Sequence, residues 1–405
     1  MTRGHPRSLR YMASPAHNEP VQIRVGIATA AAMGAVLVGV GLARSAFAPL
    51  QPALVADHWF TGRDATLLAA ANLGGYLVGA LIGAPLARRF PVTAILRTLM
   101  ILVGLSFLAC ADESLPFAWF FGWRGVSGIA GGVITALAGP AVLGYVAESR
   151  RAFVSQMTLY GVSISIVIAG AVMPHLISVG VGTAWIAIGA CALAITAVTW
   201  RMWPPSAPRA GRAVAPAPHR PRAGLFYLQY GLVAVGIVPM MVFLVDYIAR
   251  DLGRGVTVGS AFYVVYGVGA LIGPFIYIGS TKRIGLRATL RSGFAVQFVA
   301  LGLLLVSSST AVLGIASFLA GLGVVGLVGV FLSRSQEISG GNPAVHRSLW
   351  GMATASNAVG QAIAAFGTAY LIGILGEQGN AYPILFIAGA VSIVIAFGLD
   401  LVMKR

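Results

Sequence analysis

Gly79-Ala80-Leu81-Ile82-Gly83 recurs as Gly269-Ala270-Leu271-Ile272-Gly273, 190 residues later, each time inside a long apolar run. Other features repeat at nearly the same offset. Gly41 falls on Gly231, Pro49 on Pro239, and Glu148 lies 189 residues before Glu337. One apolar pentapeptide can match by chance. Four features near one offset mark an internal duplication.

Outward from this repeat, the count of apolar segments gives the architecture. A bilayer core about 30 Å thick needs about 20 helical residues. Segments of that kind lie at 25–56, 65–87, 92–111, 116–147, 153–179 and 184–200, then at 225–249, 257–279, 289–307, 311–333, 349–376 and 381–402. The reading is an all-α membrane protein with twelve transmembrane helices in two six-helix halves. Residues 1–24 form a basic cytosolic tail, 25–200 and 224–405 the two bundles, and 201–223 a cytosolic linker. That linker is rich in Pro and Arg and has no apolar period. The tail resembles a secretion signal, but the run after it is too long and carries Arg44, so it is read as a retained first span.

Composition agrees. Of 405 residues, 58% are hydrophobic before the 52 glycines are counted, and 9% are charged, where about 25% is usual in soluble proteins. A water-soluble enzyme is excluded. The net charge of +16 would suggest nucleic acid in a soluble chain. Here the basic residues cluster between apolar runs, so nucleic acid is not expected as a partner. With both termini cytosolic, 22 of the 27 Lys and Arg lie on the cytosolic side, as the positive-inside rule requires. Cys110 and Cys191 show no metal-ligand spacing, and neither metal nor cofactor is expected.

Several stretches then resemble a known family. Gly39-Val40-Gly41-Leu42-Ala43-Arg44 followed by Pro49-Leu50-Gln51-Pro52-Ala53 is similar to the GxGxGRFxYxPLLPA signature of the YbfB/YjiJ branch of the major facilitator superfamily. Ala71-Asn72 with Gly75-Tyr76-Leu77 and Gly79-Ala80-Leu81 resembles its ANxxGYLxGAL. Ala353-Thr354 with Gly360-Gln361-Ala362 resembles its ATxxFAxGQA. Ala43, Ser45, Ala48, Gln51 and Asn357 depart from the pattern, so no substrate carries over. The resemblance implies the major facilitator fold, with spans 3, 6, 9 and 12 peripheral and the others lining a central cavity. The superfamily's GxLaDRxGRR loop keeps Arg88 and Arg89 but has Ala87 in place of its acid, and Lys282-Arg283-Ile284-Gly285-Leu286-Arg287 also lacks it. Arg124 with Gly128 is similar to the RxxxG motif, which the resemblance ties to proton coupling.

Polar side chains inside spans are expensive and usually face a cavity or a partner helix. The expected substrate-binding set is Arg44, Gln51, Asn72, Tyr76, Arg124, Gln156, Tyr160, Tyr263, Asn357 and Gln361, falling on spans 1, 2, 4, 5, 8 and 11. Helix–helix hydrogen bonding is the plain alternative for each. Arg44 lies about 20 residues into span 1, too deep to reach the cytosol. It is read as a cation that pairs with a carboxylate or phosphate, against a buried structural pair. Asp246 is read as the carboxylate well inside a span boundary, a proton-coupling candidate, although Arg250 one turn away offers an i, i+4 pair. Glu148 and Glu337 close spans 4 and 10, facing Arg88, Arg89, Arg283 and Arg287 in a cytosolic gate.

The expectation is a secondary active transporter of a small organic solute, anionic by the balance of in-span charges. It would be monomeric in a bacterial-type inner membrane and work by alternating access. Multidrug-type efflux of hydrophobic compounds is the alternative. Gly125-Val126-Ser127-Gly128 also matches a rhomboid-type GxSG, with His175 in the next span as a candidate base. No GxxxxGK[ST] string occurs, which disfavours primary transport.

Overall fold

The computed structural model describes residues 18–204, 221–340, 342–375 and 381–403, and every regular element in it is helical. Residues 1–17 of the expected tail and 205–220 of the linker lie outside the described residues. Helix α1 starts at Asn18, earlier than expected. It runs Asn18–Val36, continues as a π-helix over Leu37–Ala46 and resumes α-helical geometry over Phe47–Ala56. Then follow α2 (Gly62–Arg89), α3 (Val92–Leu108), α4 (Phe117–Leu143), α5 (Glu148–Val179) and α6 (Val181–Thr199). The second half has α7 (Pro221–Asp246, extended by a π turn over Tyr247–Asp251), α8 (Gly255–Ile284), α9 (Leu286–Val306), α10 (Thr310–Ser339), α11 (Pro343–Leu375) and α12 (Ala381–Val402). Among the described residues, eleven helices are long and apolar enough to cross a membrane, and Val92–Leu108 is a shorter apolar helix.

Local signals set the helix ends. The Thr61 hydroxyl accepts from the Asp64 amide at 3.1 Å and starts α2, and Ser309 does the same for α10 through Val312. Such caps satisfy amides that the first turn leaves orphaned. Gly285, at φ +83°, makes the turn between α8 and α9, a conformation that costs an L side chain strain.

Close backbone contacts give the helix directions. Within the first half, α2 and α4 run parallel. A Cβ at Gly79 would lie 2.1 Å from the Ile129 carbonyl oxygen, and one at Gly132 would lie 2.3 Å from that of Tyr76. In the second half α8 and α10 repeat this. A Cβ at Gly321 would lie 2.0 Å from the Tyr266 carbonyl oxygen. Tyr76 and Tyr266 are 190 apart, and Gly132 and Gly321 are 189 apart, so the duplication in sequence is also one in packing. α1 likewise pairs with α5 through Gly41 and Ser165, and α7 with α11 through Gly231 and Ser356. Only glycine permits backbones this close.

The halves meet along two antiparallel seams. α5 lies against α8, with Gly170 at Ser260 and the Ser163 hydroxyl donating to the Ala270 carbonyl at 2.9 Å. α2 lies against α11, with Gly74 at Phe366 and Arg63 at Gly373. We call the face where α1 starts the near face and the face where it ends the far face. Large apolar side chains such as Phe275, Val306, Ile363 and Tyr370 point outward, as a lipid-facing surface requires.

Candidate functional site

The side chains expected to bind substrate separate into three clusters. The first is centred on Arg44, which sits in the π-helical stretch of α1. π segments are rare and often mark functional sites. Its guanidinium lies 4.1 Å from the ring centroid of Tyr76, and Nη1 donates to Gln361 Oε1 at 2.8 Å. Gln361 Nε2 donates to Asn357 Oδ1 at 2.7 Å, and Asn357 Nδ2 donates to the Tyr230 carbonyl at 3.3 Å. Gln361 and Asn357 sit one turn apart on α11, so one helix face presents both amides. Arg44 Nη2 is buried with no hydrogen-bond partner. Arg44, Asn357 and Gln361 are half-buried, as groups bordering an aqueous path are.

The second cluster lies toward the far face. Asp246 is fully buried and accepts from Arg250 Nε at 2.6 Å, Arg250 Nη2 at 2.7 Å and Gln51 Nε2 at 3.0 Å. The Tyr382 hydroxyl also donates to it, and Gln51 Nε2 reaches Thr66 Oγ1 at 3.2 Å. Gln51 therefore does not join Arg44, although both are on α1. Seven residues separate them by about 10 Å along the axis, and the π stretch shifts the register between them. Asp246 makes the i, i+4 ion pair with Arg250.

The third cluster lies between α2 and α4. Asn72 Nδ2 donates to Ser127 Oγ at 2.9 Å, and Ser127 donates to the Arg124 carbonyl at 2.9 Å. The Arg124 guanidinium is buried 4.1 Å from the Phe47 ring centroid, with Nε unpartnered. Asn72 is thus engaged in holding two helices together. Among the described residues Ser127 has no histidine beside it, and exposed His175 contacts the Ala171 carbonyl, so no nucleophile–base pair is assembled there.

On the α5–α8 seam, Tyr160 stands 5.9 Å from Phe275 and its hydroxyl is buried without a partner, as is Gln156 Nε2. Tyr263 stacks on Tyr266 at 5.6 Å and donates to the Met241 carbonyl at 3.1 Å.

At the near face Arg88, Arg89, Glu148 and Arg283 are exposed, and among the described residues none of them forms an ion pair. Glu337 pairs with Arg334, one turn back on α10. Arg287, Arg291 and Glu337 line a hollow of about 560 Å³. Asp400 corrects one sequence expectation. It too is a carboxylate inside a span, almost fully buried on α12 and bonded by Arg291 Nε at 2.6 Å.

Sequence reasoning passed over Tyr382, Tyr230, Thr66 and Asp400. Two of these lie on α12, which the resemblance made peripheral. The Tyr382 hydroxyl was visible in the sequence, but nothing there indicated that it faces Asp246. Cys191 is also exposed, whereas Cys110 is buried.

The fold is a bundle of long apolar helices whose buried polar side chains meet across the two halves. Residues 36–401 match the family described as "Uncharacterised MFS-type transporter YbfB", and the chain belongs to that family. It is a transporter and not an enzyme. Among solved structures the chain is similar to "A Bacterial Homolog to Human Lysosomal Transporter, Spinster, in Inward-facing And Unoccupied Conformation". The TM-score is 0.68 at 15% identity, covering 95% of this chain and 97% of that one. That likeness shows the major facilitator fold. No curated protein sequence matches the chain.

Proposed function

We propose that this secondary transporter moves a small organic anion by alternating access, as a monomer in a bacterial-type inner membrane. One observation carries the reading. Arg44 is a mid-span guanidinium with no carboxylate partner, and its Nη2 has no hydrogen bond. The ion pairs among the described residues are Arg250–Asp246, Arg291–Asp400 and Arg334–Glu337. A desolvated cation without a counter-charge favours an anionic ligand, and the guanidinium fork fits a carboxylate or phosphate.

In this reading Val92–Leu108 is the twelfth span, since 17 residues lie at the short end of the spanning range. The near face is cytosolic, with both termini and the 201–223 linker. The bundles 25–200 and 224–405 rock about the Arg44 cluster. Tyr76, Asn357 and Gln361 complete this site, and Gln156, Tyr160 and Tyr263 line the approach. Arg124 adds positive potential in the first half. Asp246 is the proton-coupling group. Arg88, Arg89, Glu148, Arg283, Arg287 and Glu337 pair across the near face in the opposite-facing state, which fits the exposure of Arg88, Arg89, Glu148 and Arg283 here.

The test is a thermal-shift screen of the purified protein against metabolite anions, neutral analogues and apolar cationic drugs. A ligand at 100 times its Kd stabilises the folded state by about 2.7 kcal/mol. Anions should raise Tm in the native protein and not in Arg44→Gln. Stabilisation by apolar cations alone would replace this reading with multidrug-type efflux.

A further inference from the structure

Among the described residues, Arg44 and Gln51 of α1 both donate side-chain hydrogen bonds to side chains of the second half. The bonds are Arg44 Nη1 to Gln361 Oε1 at 2.8 Å and Gln51 Nε2 to Asp246 Oδ2 at 3.0 Å. The first has a distinctive chemistry. A guanidinium only donates, so Gln361 must turn its oxygen to Arg44. Its nitrogen then donates to Asn357 Oδ1 at 2.7 Å, and Asn357 in turn donates to the Tyr230 carbonyl at 3.3 Å. The relay has one direction, and it ends on a backbone oxygen that cannot flip. Gln361 is thereby held with a neutral sp² oxygen against the cation.

We propose that Gln361 is the internal occupant of the anion site and sets the threshold of interaction a solute must exceed to bind, because cargo must displace this amide oxygen from Arg44. The inference rests on reading Arg44 as the anion anchor. A neutral acceptor on the cargo, such as an amide or hydroxyl, exchanges one dipolar oxygen for another and gains nothing. A carboxylate brings a full counter-charge, and its second oxygen takes Nη2, which is unpartnered when Gln361 occupies the site. Bidentate charge-assisted bonds of this kind are roughly twice as strong as neutral ones. Gln361 therefore rejects neutral solutes of the right shape and admits anionic ones. Its displacement also breaks a bond from α1 to the second half, so occupancy of the site is felt at the boundary that must move.

The experiment compares matched carboxylates and carboxamides on the purified full chain: propionate and propionamide, benzoate and benzamide, phenylacetate and phenylacetamide. Kd is measured for native protein, Gln361→Ala and Gln361→Met, the last keeping side-chain bulk if the alanine variant folds poorly. Removing the competitor should tighten carboxylate binding about tenfold, the worth of one hydrogen bond. Carboxamide binding should tighten by the same factor and become measurable, because both ligands displace the same oxygen. Gln361→Glu should lose carboxylate binding while staying folded, because an installed anion neutralises Arg44. Carboxylate binding that is unchanged or weaker in both Gln361→Ala and Gln361→Met would overturn the inference. If carboxylates bind native protein but not Arg44→Gln while Gln361 has no effect on their affinity, the anchor stands and this inference alone falls. If no carboxylate binds native protein, the anchor reading fails and takes the inference with it.

Discussion

Gln51 Nε2 donates to Asp246 Oδ2 at 3.0 Å, joining α1 of one half to α7 of the other near the far face. Asp246 also receives both nitrogens of the Arg250 fork and the Tyr382 hydroxyl. Among the described residues, every donor to this buried carboxylate comes from the second half except Gln51. In the proposed alternating access the ion pair would move as a unit with α7, and the Gln51 bond would break as the far face opens.

Gln51→Leu should weaken far-face closure. A hydrogen bond to a charged group is worth about 1.5–3 kcal/mol. Ser260→Cys supplies a reporter, because Ser260 is fully buried on the α5–α8 seam and its hydroxyl has no partner. Maleimide labelling at this cysteine should speed up in the Gln51→Leu background. An unchanged rate would show that the bond does not hold the far face shut.

Asp246→Asn addresses coupling. Breaking a buried pair by removing one charge costs about 3–5 kcal/mol. The partial exposure of Arg250, 19% of its side chain, puts the cost at the low end. If Asp246 carries the coupled proton, the variant should lose accumulation against a gradient while keeping exchange. Intact accumulation would leave Asp246 with a purely structural ion pair.

The glycine seams give a prediction about stability. Gly132→Ala and Gly321→Ala each push a methyl group into a backbone carbonyl of the neighbouring helix, at 2.3 and 2.0 Å. Overpacking of this kind costs about 1–3 kcal/mol. Gly139→Ala on α4 meets nothing within 4 Å, and Gly314→Ala on α10 meets only the Phe262 ring at 3.9 Å, so they serve as controls on the same helices. Thermal melts should separate the two pairs, and equal melting temperatures would remove the seams as the reason for these glycines.

The repeat and the all-helical architecture were legible because membrane spans must satisfy their own backbone, leaving little besides apolar length to read. The Arg44 cluster was partly legible too. Asn357 and Gln361 follow helical spacing on α11, and Tyr76 lies within a recognisable motif. The separation of Gln51 from Arg44 was not, since the reading assumed 3.6 residues per turn and a π-helix over Leu37–Ala46 breaks that period. Tyr382 and Asp400 were missed for a different reason. A single polar residue on a helix read as lipid-facing is a weak signal until its partner on another helix is known.

Topology can be checked without a substrate. Reporter fusions after residues 215 and 405 should be active only with a cytosolic reporter, following the Lys and Arg asymmetry. Periplasmic activity at either point would overturn the near-face assignment and the twelve-span count together.

Arg44 separates the functional and structural readings most sharply. Its guanidinium stacks on Tyr76 at 4.1 Å and bonds Gln361, while Nη2 is left unpartnered. Arg44→Lys keeps the charge but loses the planar stack and the fork, so it should bind anions weakly. Arg44→Ala should bind them hardly at all, by about 10- to 150-fold if one charge-assisted contact of about 1.5–3 kcal/mol is lost. The two readings part on stability. A desolvated cation with an orphaned nitrogen is a cost to the folded state, so an anchor kept for binding predicts that Arg44→Ala melts no lower than native protein. A structural role predicts a lower Tm and poor yield in both variants, because Gln361 and Tyr76 lose their shared partner. A well-folded Arg44→Ala that carries an identified substrate at the native rate would sink the anchor.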